Sequence, residues 1–163
     1  MEAYKNMETK LDAIDRKILK SLQLDGRMSI TDLSEAVNLS KTPCAERVRR
    51  LEKSGLIRGY RADLNAGGLG LPYVTFVQVT LERTTTDVLE KFNAAAKRVP
   101  EIESCHMVAG GYDYLLKVRT RDMAHYRQVL GDSIGALPGI ANTHTYPVMQ
   151  TIVDNKGLNP LMF

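Results

Sequence analysis

The sequence predicts an α+β chain, with an N-terminal winged helix-turn-helix domain followed by a ferredoxin-like βαββαβ domain. Residues 11–55 hold three short apolar stripes with helical spacing. Residues 73–153 place β-branched strand segments and two amphipathic segments in the order β-α-β-β-α-β. The glycine-rich segment NAGGLGLP at 65–72 separates the patterns and is interpreted as a linker. Domains are therefore expected at 1–64 and 73–153, with residues 154–163 as a C-terminal tail.

The composition excludes several classes of protein. The 163 residues are 44% hydrophobic and 25% charged, which disfavours disorder, collagen and disulfide scaffolds. No apolar stretch reaches the roughly 20 residues that span a bilayer, and no secretory signal is visible. Cys44 and Cys105 have no framework spacing and are expected to be reduced, buried thiols. A cytoplasmic protein with no membrane partner is expected.

The first two helices follow from spacing and capping. The first is expected over residues 11–24, and its apolar stripe consists of Leu11, Ile14, Ile18 and Leu22. The second begins at a capping box, in which the Ser29 oxygen accepts from the third helical N–H and Asp32 reaches back. It buries Leu33 and either Ala36 or Val37, and a three-residue turn follows.

The third helix completes a helix-turn-helix pattern. It starts at Ser40 or Thr42 and tolerates Pro43 in its first turn, where the missing N–H would be unpaired anyway. Its inward stripe is Cys44, Val48 and Leu51. The alternating segment at 56–64 is expected to be one strand of a hairpin or wing.

The net charge of +3 conceals one local basic block. Residues 65–163 hold nine bases and nine acids, so the whole excess lies in the first 64 residues. Residues 41–61 hold seven bases against two acids. Such a block is typical of a nucleic-acid-binding surface that acids elsewhere balance, and a solvated helix face is the alternative.

The elements of the second domain are predicted from a change in the spacing of apolar residues after the linker. Strands are expected at 73–82, 102–109 and 112–119, and a last strand within 140–153. Helices are expected at 86–99 and 122–137. Gly110-Gly111 is interpreted as the two-residue turn of a hairpin.

The first strand of this domain predicts a second copy. Val74 and Phe76 point to one face, and Val77, Val79 and Leu81 are interpreted as occupying both. Because both helices of this fold cover one face of the sheet, the other face is expected to pack on another copy of the chain.

Neither a catalytic site nor a metal site nor a cofactor is expected. His106 follows Cys105 directly, and strand neighbours face opposite sides, so they form no nucleophile–base pair. His125 and His144 each lie 19 residues from the preceding His, without the clustering of metal ligands. The glycines of 65–72 do not form a dinucleotide-binding GxGxxG motif.

Several motifs, in order, resemble the Lrp/AsnC family, the feast/famine regulators of bacteria and archaea. They are LDxIDRxIL at 11–19, DGR at 25–27, LSKTPCxERVRRLE at 39–52, GLI at 55–57, ExCHxVxGxYDYLLK at 103–117, LPG at 137–139 and TxTY at 143–146. The resemblance implies a winged helix-turn-helix joined to an effector-binding domain, dimers that assemble into octamers, and small amino acids bound between dimers. The LSKTP version, with Lys41 after the serine, resembles regulators of proline catabolism.

The resemblance, together with the basic outward face of the third helix, implies binding to a pseudo-palindromic operator in double-stranded DNA. The residues expected near the groove are Ser40, Lys41, Thr42, Pro43 and Arg47, and those expected on phosphates are Arg49, Arg50 and Lys53. One of the arginines could instead pair with Glu46 or Glu52 along the helix.

The resemblance also implies an effector pocket. Its response positions map onto Asp113, Met123, Tyr146, Pro147 and Val148, with Gly110, Gly111, Tyr112 and Leu137 in the same pocket. Backbone N–H groups of the glycine turn suit a ligand carboxylate, and Asp113 suits an α-ammonium or caps the turn. Gly111 and Pro147 stand where relatives carry acidic and aliphatic residues, so leucine is not implied as the effector.

The function predicted is a sequence-specific transcriptional regulator, either activator or repressor, that responds to an amino acid. One alternative is an architectural nucleoid-associated protein with low sequence preference. Another is an enzyme on the same two-domain fold, similar to the sirohaem decarboxylases.

Overall fold

The computed structural model describes residues 11–154 and 157–158. The described chain divides into two compact units. The first contains the described residues up to Asp63 together with those from Val153 onward, and the second contains Leu64–Ile152. No helix among the described residues is long and apolar enough to cross a membrane.

The first unit is built from three helices, as the sequence predicts: α1 (Ala13–Leu24), α2 (Ile30–Ala36) and α3 (Lys41–Lys53). Asp12 accepts from the N–H groups of Ile14 and Asp15, and Asp15 accepts from that of Asp12, which forms a capping box. The box predicted at Ser29 is half formed. The Asp32 N–H donates to Ser29 Oγ, but the Asp32 carboxylate accepts from the Ser29 hydroxyl instead of the backbone.

The turn between α2 and α3 is a Schellman motif. The Leu39 N–H donates to the Ser34 carbonyl at 2.9 Å, and the Asn38 N–H to the Glu35 carbonyl at 3.2 Å. Asn38 has φ +56°, and it is the only residue other than glycine with positive φ in the described chain. This left-handed residue sets the angle at which the chain enters α3.

The core of the first unit confirms the predicted inward stripe of α3. Its buried members are Ile18, Leu33, Val37, Cys44, Val48 and Leu51. Of the two candidates at the end of α2, Val37 is buried and Ala36 is exposed.

The strand predicted at 56–64 is wrong. These residues form no strand, and the Ile57 N–H donates to Leu51 at the end of α3. Gly59 has φ +146°, which interrupts the extended backbone of a strand. The segment, hereafter the wing segment, runs irregularly after α3 because no neighbouring strand pairs with it in the described part of this unit.

The second unit confirms the βαββαβ order. Its strands are β1 (Tyr73–Leu81), β2 (Ile102–Met107), β3 (Tyr114–Thr120) and β4 (Ile140–Pro147), and its helices are α4 (Thr86–Ala96) and α5 (Met123–Val129). All pairs are antiparallel, in the spatial order β2-β3-β1-β4. The core between sheet and helices includes the stacked rings of Phe92 and Tyr114, whose centroids are 4.3 Å apart.

The last strand, β4, lies within residues 140–153 as expected and ends at Pro147. Two other predicted features of this unit are wrong. The second helix leaves α-geometry after Val129 and continues as one π-turn, Leu130–Ile134. The connection between β2 and β3 is a loop of residues 108–113, not a two-residue turn at Gly110-Gly111.

The reason for the longer loop is a contact with β1. The Asp113 N–H donates to the Val79 carbonyl at 2.9 Å, and the Asp113 carboxylate accepts from the Leu81 N–H at 2.7 Å. The pairing of β1 with β4 shifts at Thr80/Leu81, and Asp113 satisfies the backbone there.

The two faces of the sheet differ from the predicted arrangement in one respect. Val77, Val79 and Leu81 all lie on the helix-covered face and are buried. The open face carries Phe76 and its cross-strand neighbour Tyr146, which are 37% and 50% exposed.

The prediction of two buried thiols is half right. Cys44 is buried, but Cys105 is exposed because β2 forms an edge of the sheet.

The left-handed turn residue yields a stability prediction. We expect Asn38→Gly to be neutral or slightly stabilising and Asn38→Ala to cost about 1 kcal/mol, since a Cβ without a local hydrogen-bonding group is disfavoured at positive φ. Urea unfolding followed by circular dichroism measures both. Equal stability of the two variants would show that the turn relaxes to another conformation.

Candidate DNA-binding surface and effector pocket

The outward face of α3 is defined by its buried face. Cys44 and Leu51 are fully buried, and Val48 is 7% exposed. With 3.6 residues per turn, the residues directly opposite this stripe are Thr42, Glu46, Arg49 and Lys53. All four are exposed. This outward stripe is the part of α3 that can enter a groove.

Arg47 and Arg50 lie on the flank of α3 that faces α1, not in the outward stripe. One Arg47 nitrogen donates to Asp12 Oδ2 at 2.6 Å and to Asp15 Oδ1 at 2.8 Å. Arg50 Nη2 donates to Asp15 Oδ2 at 2.5 Å. The Asp15 side chain is 1% exposed, so a buried carboxylate is paired on each oxygen by a different arginine of α3.

The electrostatics of this cluster favour the charged forms of Asp12 and Arg47. The pKa of Asp12 is lowered, first by the backbone N–H of Asp15 and then by the Arg47 guanidinium. The pKa of Arg47 is raised by its hydrogen bonds to Asp12 and Asp15. Among the described residues, Arg47 and Arg50 pair with these acids and not with Glu46 or Glu52 along α3. Glu52 instead accepts from the Tyr60 hydroxyl at 3.0 Å.

Sequence reasoning missed Asp12 and Asp15, although a signal exists. Two acids at i, i+3 begin α1, and two arginines at i, i+3 occur on α3. Matched spacing on two helices permits two pairs across one interface. The pattern alone does not say which helices are neighbours, so it becomes informative only with the fold.

The N-terminus of α3 presents the remaining predicted groove residues. Ser40 is the N-cap, yet its side chain makes no capping hydrogen bond. Ser40, Lys41 and Thr42 are exposed, and Pro43 is half-buried. Three polar side chains at the start of a helix can reach base edges.

The predicted effector residues fall into two groups at opposite ends of β1. Gly110, Gly111, Tyr112 and Asp113 belong to the β2–β3 loop, which is tied to Val79 and Leu81. A Cβ added at Gly110 or Gly111 meets nothing within 4 Å, so both positions are open.

The second group lies near the start of β1. The Val148 N–H donates to the Val74 carbonyl at 3.0 Å, and the Tyr73 hydroxyl lies 3.6 Å from the Met123 sulfur. Pro147 is exposed, and Met123 and Tyr146 are each 50% exposed. Leu137 differs from the others, since it is 6% exposed and belongs to the core.

One chain therefore does not bring the two groups together. Val79 and Val74 are separated by five residues of an extended strand, or about 17 Å. The far ends of the two groups are therefore farther apart than a small amino acid is long. Tyr146 of the second group reaches toward the first, since its hydroxyl donates to Gln78 Oε1 at 3.2 Å.

Two family models match the chain. The Lrp/AsnC ligand-binding domain matches residues 74–158, and a winged helix-turn-helix DNA-binding domain matches residues 11–58.

Relatives match most of the chain. A proline dehydrogenase transcriptional activator from Rhodobacter capsulatus is 49% identical over 146 residues, which cover 90% of this chain and 95% of the relative. A leucine-responsive regulatory protein from Salmonella typhimurium is 51% identical over 148 residues, covering 91% of this chain and 90% of the relative.

Solved structures of transcriptional regulators also superpose on most of the chain. A Neisseria meningitidis transcriptional regulator in complex with L-Met superposes with TM-score 0.86 at 34% identity, covering 91% of this chain and 96% of that one. An AsnC family regulator from Agrobacterium tumefaciens gives 0.87 at 30% identity, covering 91% and 97%. The chain therefore belongs to the Lrp/AsnC family of DNA-binding transcriptional regulators.

Proposed function

We propose that this chain regulates transcription by placing α3 in the major groove of an operator, with an amino acid controlling its affinity or assembly. The observation that carries the proposal is the outward stripe of α3, polar and exposed directly opposite a buried face. Ser40, Lys41 and Thr42 supply groove contacts, and Arg49 and Lys53 supply phosphate contacts.

Arg47 and Arg50 have a different primary role in this proposal. Their guanidinium groups are committed to Asp15, so they fix the orientation of α3 on α1 instead of supplying the phosphate contacts expected from charge alone. The Arg50 side chain is half exposed, so its outer nitrogen remains accessible to a nearby phosphate.

The effector pocket is proposed to form between copies of the chain. The glycine loop of one copy binds the ligand carboxylate through backbone N–H groups, and Asp113 accepts from the α-ammonium. A carboxylate has about four acceptor sites, so the bond from Leu81 leaves Asp113 capacity for a ligand. Met123, Pro147 and Val148 of another copy then contact the ligand side chain.

Assembly is proposed through the open face of the sheet. Phe76, Tyr146 and half-buried Leu115 give that face an apolar centre, and a second copy would cover it. A dimer places two recognition helices about 34 Å apart on a pseudo-palindrome. Further assembly into octamers, location in the cytoplasm and the lack of a catalytic role belong to the same proposal. The names of the relatives, which are regulators, support the last of these.

The direct test of the function is selection of duplexes from a random-sequence pool by the full-length chain. We expect a recovered operator to bind at least about 1,000 times more tightly than random duplex at fixed salt. A ratio near one would overturn the proposal in favour of an architectural role.

Alanine substitutions can distinguish Arg49, a proposed phosphate contact, from Arg47, which pairs with Asp15. We expect Arg49→Ala to reduce the slope of log affinity against log salt by about 1, without changing thermal stability. Arg47→Ala should instead destabilise the first unit by about 2–3 kcal/mol, because Asp15 loses one of its two partners while buried. Fluorescence anisotropy across a salt series and thermal unfolding measure these effects. A normal melting temperature for Arg47→Ala with a reduced salt slope would make Arg47 a phosphate contact.

The proposed pocket between copies is tested by ligand screening and by substitution. A thermal-shift screen of the amino acids should reveal a ligand, since saturation at 100 Kd stabilises by about 2.7 kcal/mol. Tyr112 and Met123 lie at opposite ends of β1. Tyr112→Ala and Met123→Ala should each weaken binding of that ligand when every copy in the assembly carries the substitution. If only one of them weakens it, the pocket belongs to a single copy.

A further inference from the structure

The last described residues of the chain are held against α1. Gln23 Nε2 donates to the Leu158 carbonyl at 2.7 Å, and the Leu158 N–H donates to Gln23 Oε1 at 3.2 Å. One side-chain amide thus satisfies both backbone groups of one residue, which is the pairing that a neighbouring strand would supply. The Leu158 side chain is 73% exposed, so main-chain pairing and not side-chain burial makes the contact.

The residue before it suits this contact. Gly157 has φ +76°, and a Cβ there would lie 2.8 Å from Gln23 Nε2 and 2.9 Å from Gln23 Cδ. Another residue would bring both backbone strain and a collision with the amide that holds Leu158. Glycine is therefore the residue that permits the pairing.

The contact forms one wall of a groove in the first unit. The groove has a volume of about 860 Å³, and its apolar floor comes from Leu11, Leu19 and Leu22. Residues 56–61 of the wing segment, which carries the exposed bases Arg58 and Arg61, line the same groove. The C-terminal residues and the wing segment thus border the same groove.

We propose that Gly157 and Leu158, hereafter the strap, dock on α1 through Gln23 and, across this groove, restrain the wing segment. The grouping of these residues with the first unit supports it, because the chain enters the second unit at Leu64 and returns after Ile152. Leu158 follows Val148 by ten residues, so the strap gives the proposed effector-response position a covalent route back to the DNA-binding unit. That regulatory part rests on the proposed function, whereas the docking does not.

The strap bears on DNA binding through the two wing bases. A wing segment held in place loses less conformational freedom when Arg58 and Arg61 meet phosphates. The expected role of the docked strap is therefore to favour binding without adding a phosphate contact of its own.

The test uses the full-length chain with Gly157→Ala, and Gly70→Ala is the matched control. Gly70 also has φ +76°, but a Cβ there meets nothing within 4 Å, so it shares the backbone strain without the collision. Hydrogen–deuterium exchange should be faster at Leu158 and in residues 56–61 of Gly157→Ala, with α2 and α3 unchanged. Equal exchange of residues 56–61 in the two variants would overturn the strap.

A second variant keeps the test independent of backbone strain. Gln23→Ala should reproduce the faster exchange, whereas Lys20→Ala, an exposed residue of the same helix, should not. If protection at Leu158 in the wild type instead falls on dilution, the strap belongs to another copy and the intrachain docking is wrong.

The effect of the strap on DNA affinity is measured with a random-sequence duplex at low salt. We expect Gly157→Ala to raise the Kd about 2–5-fold while the salt slope stays constant, since the number of phosphate contacts is unchanged. An unchanged Kd would overturn the role in DNA binding and leave the docking to be judged by exchange. Failure of the wild type to bind any duplex would overturn the proposed function without affecting the exchange result.

Discussion

A buried carboxylate must be paired, and in this chain that requirement determines where the recognition helix lies. Asp15 is 1% exposed and is bonded on each oxygen by a different arginine of α3. Helices of 12, 7 and 13 residues have little stability alone, so their mutual packing decides whether they form. Removing a partner would leave charge uncompensated in the interior. The cluster therefore sets the rotation of α3 and, with it, which side chains face outward.

Sequence periodicity was sufficient for the three helices of the first unit and for the buried side of α3. Cys44, Val48 and Leu51 recur at helical spacing, and their burial depends only on α3 covering a core. The pairing of Arg47 and Arg50 could not be predicted in the same way, because it depends on α1 lying beside α3. Charge counting assigned both arginines to DNA, although both guanidinium groups form ion pairs with acids at the start of α1.

The errors in the second unit have a similar cause. Gly110-Gly111 has the composition of a tight hairpin turn, but Asp113 pairs with β1, a strand more than 30 residues earlier. The wing segment alternates as a strand does, yet the described part of its unit offers no strand to pair with it. A local sequence pattern indicates which element a segment can form. Contacts with a partner distant in sequence determine whether that element forms.

The separation of the proposed effector residues along β1 has a consequence for the quantities to which the protein would respond. A pocket completed by a second copy is empty in an isolated chain, so occupancy depends on the concentration of the protein as well as of the ligand. By linkage, each bound ligand also favours the assembly that holds it. Such a regulator would respond to the concentration of the ligand and to its own concentration together. A cell could therefore change the response by changing the expression level alone, with no change in the pocket.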